Sequence, residues 1–420
     1  MFSRIQTRHY RSLKGVDQAL GPMQALVGPN ASGKTTFLDV IGLLSDLIRR
    51  RGDVREAVLS RSASFEKLIW QGPGAADTFQ LAVEAPIPQA VRARMADDKK
   101  QFDLVRYELE IGMDRVNNEL GLNHETLWLR TTGSTNGDVQ RALFPAVRVE
   151  APSVLSHSKK GFRVALKKVP GGNDNYYPEG AASYTPSFKL GRTKSALAHI
   201  PADEKSFPVS SWFRSLLETG VQNVVLNSQT IRQPSPPGLG LRFQTDGSNL
   251  PWVIAELRRD PERFSGWLEH VHTALEDVAD IDTVEREEDR HRYLVIRYSN
   301  GAEVPSWLVS DGTLRLLALT IPAYLNLDDV FLIEEPENGI HPRAIETVIQ
   351  SLSSIYSGQV LIATHSPVAL NLLDAAQVLC FAKDDTGATD IVAGNRHPAL
   401  QEWRRGHPEL GVLFASGILS

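Results

Sequence analysis

Apolar and polar positions alternate along this chain with two periods, one of strands and one of helices. Residues 330–333 (VFLI) form a continuous apolar run of strand length, as expected of a strand buried on both faces of a parallel sheet. Residues 23–27 (MQALV) and 359–363 (QVLIA) predict two further short strands. Helical spacing of apolar residues over 37–51, 312–325 and 343–356 predicts helices between them, so these parts form a parallel or mixed sheet with helices packed on it. Residues 79–85 (FQLAVEA), 104–113 (LVRYELEIGM) and 125–131 (ETLWLRT) predict antiparallel strands. The last two flank a polar stretch, 114–123, that suits a hairpin turn or a long loop. Residues 132–206 are rich in Pro, Gly, Ser and Tyr and predict irregular structure. Helical periodicity returns at 210–217 and over 250–278, interrupted by Pro261, and 291–298 (HRYLVIRY) predicts a strand ending in the turn Ser299-Asn300-Gly301. There is no internal repeat, and no sustained heptad run between 80 and 300 that would make a coiled-coil arm.

Composition narrows the class. The 420 residues suffice for two or three domains, and 42% hydrophobic with 23% charged residues places the chain among globular rather than disordered proteins. A net charge of -5 gives no global attraction to nucleic acid. The single cysteine, Cys380, excludes an intramolecular disulfide and suits a reducing compartment. The first residues, MFSRIQTRHYRSLKG, lack the apolar core of a signal peptide, and no apolar run approaches the ~18–20 residues that span a bilayer. The expectation is a soluble cytoplasmic protein without a membrane partner.

The chemistry begins at Gly28-Pro29-Asn30-Ala31-Ser32-Gly33-Lys34-Thr35, which matches GxxxxGK[ST] in full between a predicted strand and a predicted helix. Glycines let backbone N–H groups close around phosphate oxygens, and the helix N-terminus favours negative charge. Gly28, Asn30, Ala31, Ser32, Gly33, Lys34, Thr35 and Thr36 are therefore candidate nucleotide contacts. Lys34 would reach the β- and γ-phosphates, and the Thr35 hydroxyl would ligate Mg²⁺. Given such a loop, the acids that end the 330–333 run acquire roles: Glu334 in the Mg²⁺ shell and Glu335 as general base toward the water attacking the γ-phosphate. His365 follows the strand 359–363 and is placed to hydrogen-bond a γ-phosphate or orient that water. Ser310 and Gly312 open a predicted helix and offer a second anion site. Asp384 and Asp385 lie in AKDDTGATD, which reads as a polar turn. Residues 157–194 gather Lys159, Lys160, Arg163, Lys167, Lys168, Lys189, Arg192 and Lys194 against only Asp174 and Glu179, with Phe162, Tyr176, Tyr177, Tyr184 and Phe188 among them. This basic stretch is either a nucleic-acid surface, by phosphate neutralisation and base stacking, or a solvated loop.

Taken in order, these motifs resemble those of ATP-binding-cassette ATPases, in particular the soluble SMC/RecF/OLD branch. LVSDGTLRLLAL is similar to that branch's signature, FLIEEPENGIHP to its Walker B and D-loop, IATHSP to its H-loop, and YRSLKG to the segment ahead of its P-loop. The resemblance covers residues 1–85 and 300–380 most specifically. It implies an α/β fold: an ABC-type ATPase head, a mixed sheet with flanking helices plus an antiparallel β subdomain, split by an inserted α+β region. The expected parts are 1–131, 132–290 and 291–420. It further implies a head-to-tail homodimer in which each ATP lies between one P-loop and the other protomer's Ser310 and Gly312. Residues 337–341 would then touch the second protomer. Gln71, in LIWQG, is the candidate Q-loop glutamine sensing Mg²⁺ and the attacking water, a surface glutamine being the alternative, and Arg11 is a candidate nucleotide contact. Glu334 stands where aspartate is usual, Asp311 replaces the signature's first glycine, and Thr313 stands where glutamine is common. About 55 residues follow His365, too few for the nuclease domain of OLD-type proteins. A separately encoded, nuclease-type effector in anti-phage defence is thus the implied partner, with a RecF-like DNA-repair head or a slowly hydrolysing scaffold as alternatives.

Overall fold

Residues 330–333 are buried on both faces, and each face joins a different core. In strand β14 (Val330–Glu334), Val330 and Leu332 enter one apolar cluster while Phe331 and Ile333 enter a second. Its neighbour β15 (Gln359–Ala363) alternates in the same way, with Leu361 in the first cluster and Val360 and Ile362 in the second. This two-sided burial is why the run carries no polar alternation. The computed structural model describes residues 1–114, 116–132, 143–146, 150–158, 160–181, 184–325, 327–399 and 409–417.

The central sheet contains β3 (Met23–Val27), β10 (Val221–Val224), β14, β15, β16 (Val378–Lys383) and β17 (Thr389–Ala393), in the order β10-β14-β15-β3-β16-β17. All neighbours are parallel except β16 and β17. The P-loop helix Lys34–Arg49 and a second sheet share the first core. That sheet is antiparallel and contains β1 (Arg4–Tyr10), β2 (Leu13–Ala19), β4 (Thr78–Pro86), β5 (Leu104–Asp114), β6 (Glu119–Arg130), β7 (Phe162–Lys167), β8 (Asp174–Tyr176) and β9 (Ser187–Phe188). Its order is β2-β1-β4-β5-β6-β7-β8-β9. The other face of the central sheet packs against helices Leu250–Leu257, Asp311–Thr320 and Pro342–Ser353 and a small sheet of β11 (Val278–Glu285), β12 (Arg292–Tyr298) and β13 (Glu303–Pro305).

One expectation is corrected. Residues 132–206 are not irregular throughout: β7, β8 and β9 extend the antiparallel sheet, so it runs across the expected 131/132 boundary without a break. The periodicity over 250–278 resolves into helices Leu250–Leu257 and Pro261–His272, with Asp260 capping the second through the Arg263 N–H, and β11 begins at Val278. Strands β5 and β6 pair as far as Asp114 and Glu119, and Asp114 accepts from the Val116 N–H. Residues 384–387 form the expected polar turn, Asp384 accepting from the N–H groups of Thr386 and Ala388. Among the described residues, no helix is long and apolar enough to cross a membrane.

One buried side chain ties the start of the chain to the central sheet. Gln359 accepts from the Phe2 N–H at 2.7 Å and donates to the carbonyls of Phe2 at 2.7 Å and Gly21 at 2.8 Å. Gln359→Ala would strand the buried N–H and carbonyl of Phe2 away from water and remove the donor to the half-buried Gly21 carbonyl. We expect it to cost about 1–3 kcal/mol, read as a lower urea midpoint at unchanged slope. An unmoved midpoint would show that water replaces the amide without loss.

Candidate active site

Parallel pairing in the order β14-β15-β3 brings three C-terminal strand ends side by side, where open α/β sheets bind ligands. The loop after β3 is built around glycines that no other residue could replace without movement. Gly28 has φ 145°, and a Cβ there would lie 2.1 Å from the Phe381 carbonyl oxygen. Gly33 has φ 108°, and a Cβ would lie 2.3 Å from Thr389 Oγ1. Thr389 Oγ1 donates to the Ser32 carbonyl at 2.8 Å and can accept from the Ser12 hydroxyl 2.9 Å away, so β17 and the β1–β2 turn hold the loop from behind. Sequence reasoning passed over Ser12 and Thr389. YRSLKG had marked the first, and nothing marked the second, which is 353 positions beyond Thr36.

Lys34 folds back over its own loop, donating from Nζ to the carbonyls of Gly28 at 2.8 Å and Pro29 at 3.0 Å. Burial lowers its pKa, partly offset by Glu335 and Glu334. The ammonium thus occupies weak neutral acceptors at the edge of a cavity of about 280 Å³ that Ser32, Gly33, Thr35, Glu335 and His365 also line. A phosphate oxygen is a stronger acceptor for it than a carbonyl.

Thr35 Oγ1 donates to Glu334 Oε2 at 2.5 Å, joining the first turn of the P-loop helix to the end of β14. One hydroxyl and one carboxylate are hard oxygen donors, and few in number. That set fits Mg²⁺, which takes one or two protein oxygens and completes its shell with phosphate and water. Glu335 follows at φ 48°, a left-handed conformation costing a non-glycine residue about 1–2 kcal/mol. Its N–H donates to the Ala363 carbonyl at 2.7 Å, its carbonyl accepts from the Asn338 N–H at 2.9 Å, and Asn338 Nδ2 donates to its carboxylate. Strain held by surrounding bonds is what a functional position shows.

His365 lies at the far wall of the same cavity. Glu337 Oε1 accepts from the His365 N–H at 2.7 Å and from Thr364 Oγ1 at 2.9 Å, binding the turn after β14 to the end of β15. Burial and then Lys34 lower the His365 pKa, against Glu335 and Glu337. The ring is therefore neutral at pH 7 and able to accept or donate one hydrogen bond.

Other expected site residues lie elsewhere. Gln71 does not line the cavity; its amide donates to the carbonyls of Glu66 at 2.6 Å and Ile69 at 3.2 Å in its own loop. Asn223 on β10, a short strand whose polar residues gave no strand signal, lines an adjoining cavity that Thr35 and Glu334 also line. Arg11, at φ 50°, lines that same adjoining cavity and pairs with Asp39 at 3.4 Å. Ser310 caps helix Asp311–Thr320 by accepting from the Thr313 N–H, and Gly312 approaches Gly339 so closely that a Cβ would lie 2.7 Å from its carbonyl oxygen. Both line a separate cavity of about 650 Å³, together with His341.

Four cations of the basic stretch are engaged in ion pairs, three of them with acids distant in sequence. Arg163 pairs with Asp98, Lys168 with Asp174, Arg192 with Asp114 and Lys194 with Asp53. Lys168 is buried, as is Tyr176. The expectation that these cations face only Asp174 and Glu179 is thus corrected; Lys159 lies outside the described residues.

The sequence matches the family described as "AAA domain, putative AbiEii toxin, Type IV TA system" over residues 24–134 and 153–371. It is also 48% identical over 44 residues to the OLD nuclease of Thermus scotoductus, a match covering 10% of this chain and 8% of that protein's length. In structure it is similar to an Smc head bound to the C-terminal winged-helix domain of ScpA (TM-score 0.53, 12% identity, 93% of this chain and 96% of that one). It is similar, too, to the Pyrococcus furiosus Smc head with an extended coiled coil bound to the C-terminal domain of ScpA (TM-score 0.51, 11% identity, 96% and 99%). At such identities the likeness is one of fold. The chain belongs to the AAA-domain family its sequence matches, and its fold is that of the Smc heads it resembles.

Proposed function

We propose that two copies of this chain pair head to tail, bind ATP with Mg²⁺ between them, hydrolyse it, and relay nucleotide state to a separately encoded effector of nuclease type in anti-phage defence. The observation that carries the reading is the meeting of Lys34, Glu335 and His365 on one cavity, with Thr35 and Glu334 in contact at its edge. Lys34 exchanges its two carbonyl partners for β- and γ-phosphate oxygens. Glu335 takes the proton of the attacking water, and neutral His365 holds the γ-phosphate or that water. Mg²⁺, when bound through Thr35 and Glu334, supplies neutralisation of phosphate charge. Pairing is supported by the separation of Ser310 and Gly312 from the P-loop cavity: within one copy they line a different hollow. The effector reading leans on the family description and on the OLD nuclease match. Direct loading on nucleic acid is the weaker reading, because ion pairs engage four cations of the 159–194 stretch.

Gly28→Ala must displace the Phe381 carbonyl and hold a strained backbone, a cost of about 1–3 kcal/mol. Calorimetry with a non-hydrolysable ATP analogue should show affinity weakened roughly tenfold to hundredfold; unchanged affinity would remove the loop from the nucleotide site. Glu335→Gln should lower kcat by about 10²–10⁴ while ATP binding persists, and the variant should collect as an ATP-bound dimer in light scattering. Undiminished turnover would end the general-base assignment, and a monomer at saturating ATP would end the pairing. Protonating His365 would place a second cation beside Lys34. Turnover should therefore fall on the acid side, below the ordinary histidine range. His365→Asn should lose that limb of the pH profile; superimposable profiles would exclude the ring from the reaction.

A further inference from the structure

His365 is held from three directions, and only two of them belong to the strand ends that form the cavity. Glu337 fixes its backbone N–H. Ser366, the next residue, caps helix Pro367–Asn371 by accepting from the Ala369 N–H, which fixes the direction in which the chain leaves. The third hold comes from helix Leu410–Ala415: the Phe414 ring faces the His365 ring with centroids 6.2 Å apart and planes tilted by 48°. That helix is seated rather than loosely apposed. Leu410 and Leu413 are buried in the second core, and the Gly411 N–H donates to Asn371 Oδ1 at 2.7 Å. A Cβ at Gly411 would come within 2.4 Å of the Pro367 carbonyl oxygen, so a glycine is required for this approach. The seat is therefore the very helix that His365 leads into.

We propose that Phe414 is a positioning residue for His365. Its ring forms one wall of the imidazole's enclosure and restricts the rotamers through which the ring can miss the cavity. An imidazole with a wall removed regains side-chain freedom that must be lost again each time it engages phosphate or water, and small misplacements near a reacting centre are costly in rate. The inference rests on the ATPase reading for its effect on turnover but not for its effect on the ring.

The test compares Phe414→Ala, Phe414→Leu, which keeps apolar volume without a ring, and Phe414→Tyr, which keeps the ring, in the full chain. Two readouts are taken: steady-state ATP hydrolysis, and the His365 imidazole resonances in ¹⁵N-histidine spectra, assigned with His365→Asn. We expect the Ala and Leu variants to lower kcat about tenfold with KM for ATP nearly unchanged and to shift or broaden the His365 resonances. The Tyr variant should restore both. Gly411→Ala, which lifts the helix without touching the ring, should reproduce the Ala variant. His365 resonances that stay in place in the Leu variant overturn the proposal, whatever happens to turnover. A kcat loss that Tyr does not restore also overturns it. Should the wild-type chain hydrolyse no ATP, the functional reading fails while the spectra still decide the positioning of the ring.

Discussion

Everything at the site depends on parallel pairing of three strands, β14 to β15 and β15 to β3, in one register. The ladder continues one residue beyond the strands: the Glu335 N–H donates to the Ala363 carbonyl, and the Thr364 N–H donates to the Leu26 carbonyl at 3.2 Å. These bonds sit directly beneath the catalytic candidates. A one-residue slip of any strand would exchange its two faces, since each buries alternate residues in different cores. The two apolar clusters are thus what hold Glu334, Glu335 and His365 at one height. The hydrophobic effect does the chemistry's positioning, and the Thr35–Glu334 hydrogen bond marks where the P-loop helix meets that frame.

The site is also where local preferences are overridden. Ala31 and Glu335 take positive φ, and Gly28 and Gly33 take conformations and close approaches that exclude side chains. Such backbone costs of order 1–3 kcal/mol each and must be held by the surroundings. The surroundings that hold them are identifiable: Thr389 and Ser12 behind Gly33, Phe381 beside Gly28, and Asn338 on Glu335. A loop backbone held in this way does not have to reorganise when an anion arrives, which leaves only the Lys34 side chain to exchange its carbonyl partners.

This division explains what could be read from the sequence. The strands of the central sheet that are fully apolar or next to a motif, β3, β14 and β15, were legible, as were the P-loop, both acids and His365, because each carries its signal within a few residues. Strand β10 was not, since Val221-Gln222-Asn223-Val224 has no apolar run and becomes a strand only by pairing with β14. With it went Asn223, which lines one cavity with Thr35 and Glu334, while Gln71, chosen by motif position, turns into its own loop. The strand β16 was missed although Val378-Leu379-Cys380-Phe381-Ala382 is a continuous apolar run; what carries no local signal is the support its partner β17 gives the P-loop through Thr389, a contact between residues 357 positions apart. The basic stretch misled because charge was counted along the chain, whereas Asp53, Asp98 and Asp114 arrive from other strands and loops.

The separation of Ser310 from the P-loop follows from packing as well. Gly312 is pressed against the Gly339 carbonyl, and Arg232 pairs with Asp311 at 2.6 Å, so the helix start is tied to the turn after β14 and to helix Ser228–Arg232. The Ser310 hydroxyl is already engaged as the helix cap, bonding the Thr313 N–H and hydroxyl. Bringing this helix end to the same chain's Lys34 would require breaking the ion pair and lifting the helix off a core that holds Leu314, Leu316 and Leu317. Burying three leucines is worth roughly 1.5–3 kcal/mol each, more than an exposed anion contact returns. Within one chain the packing thus keeps Ser310 and Gly312 apart from Lys34, and the proposed second copy would meet that helix end without that loss.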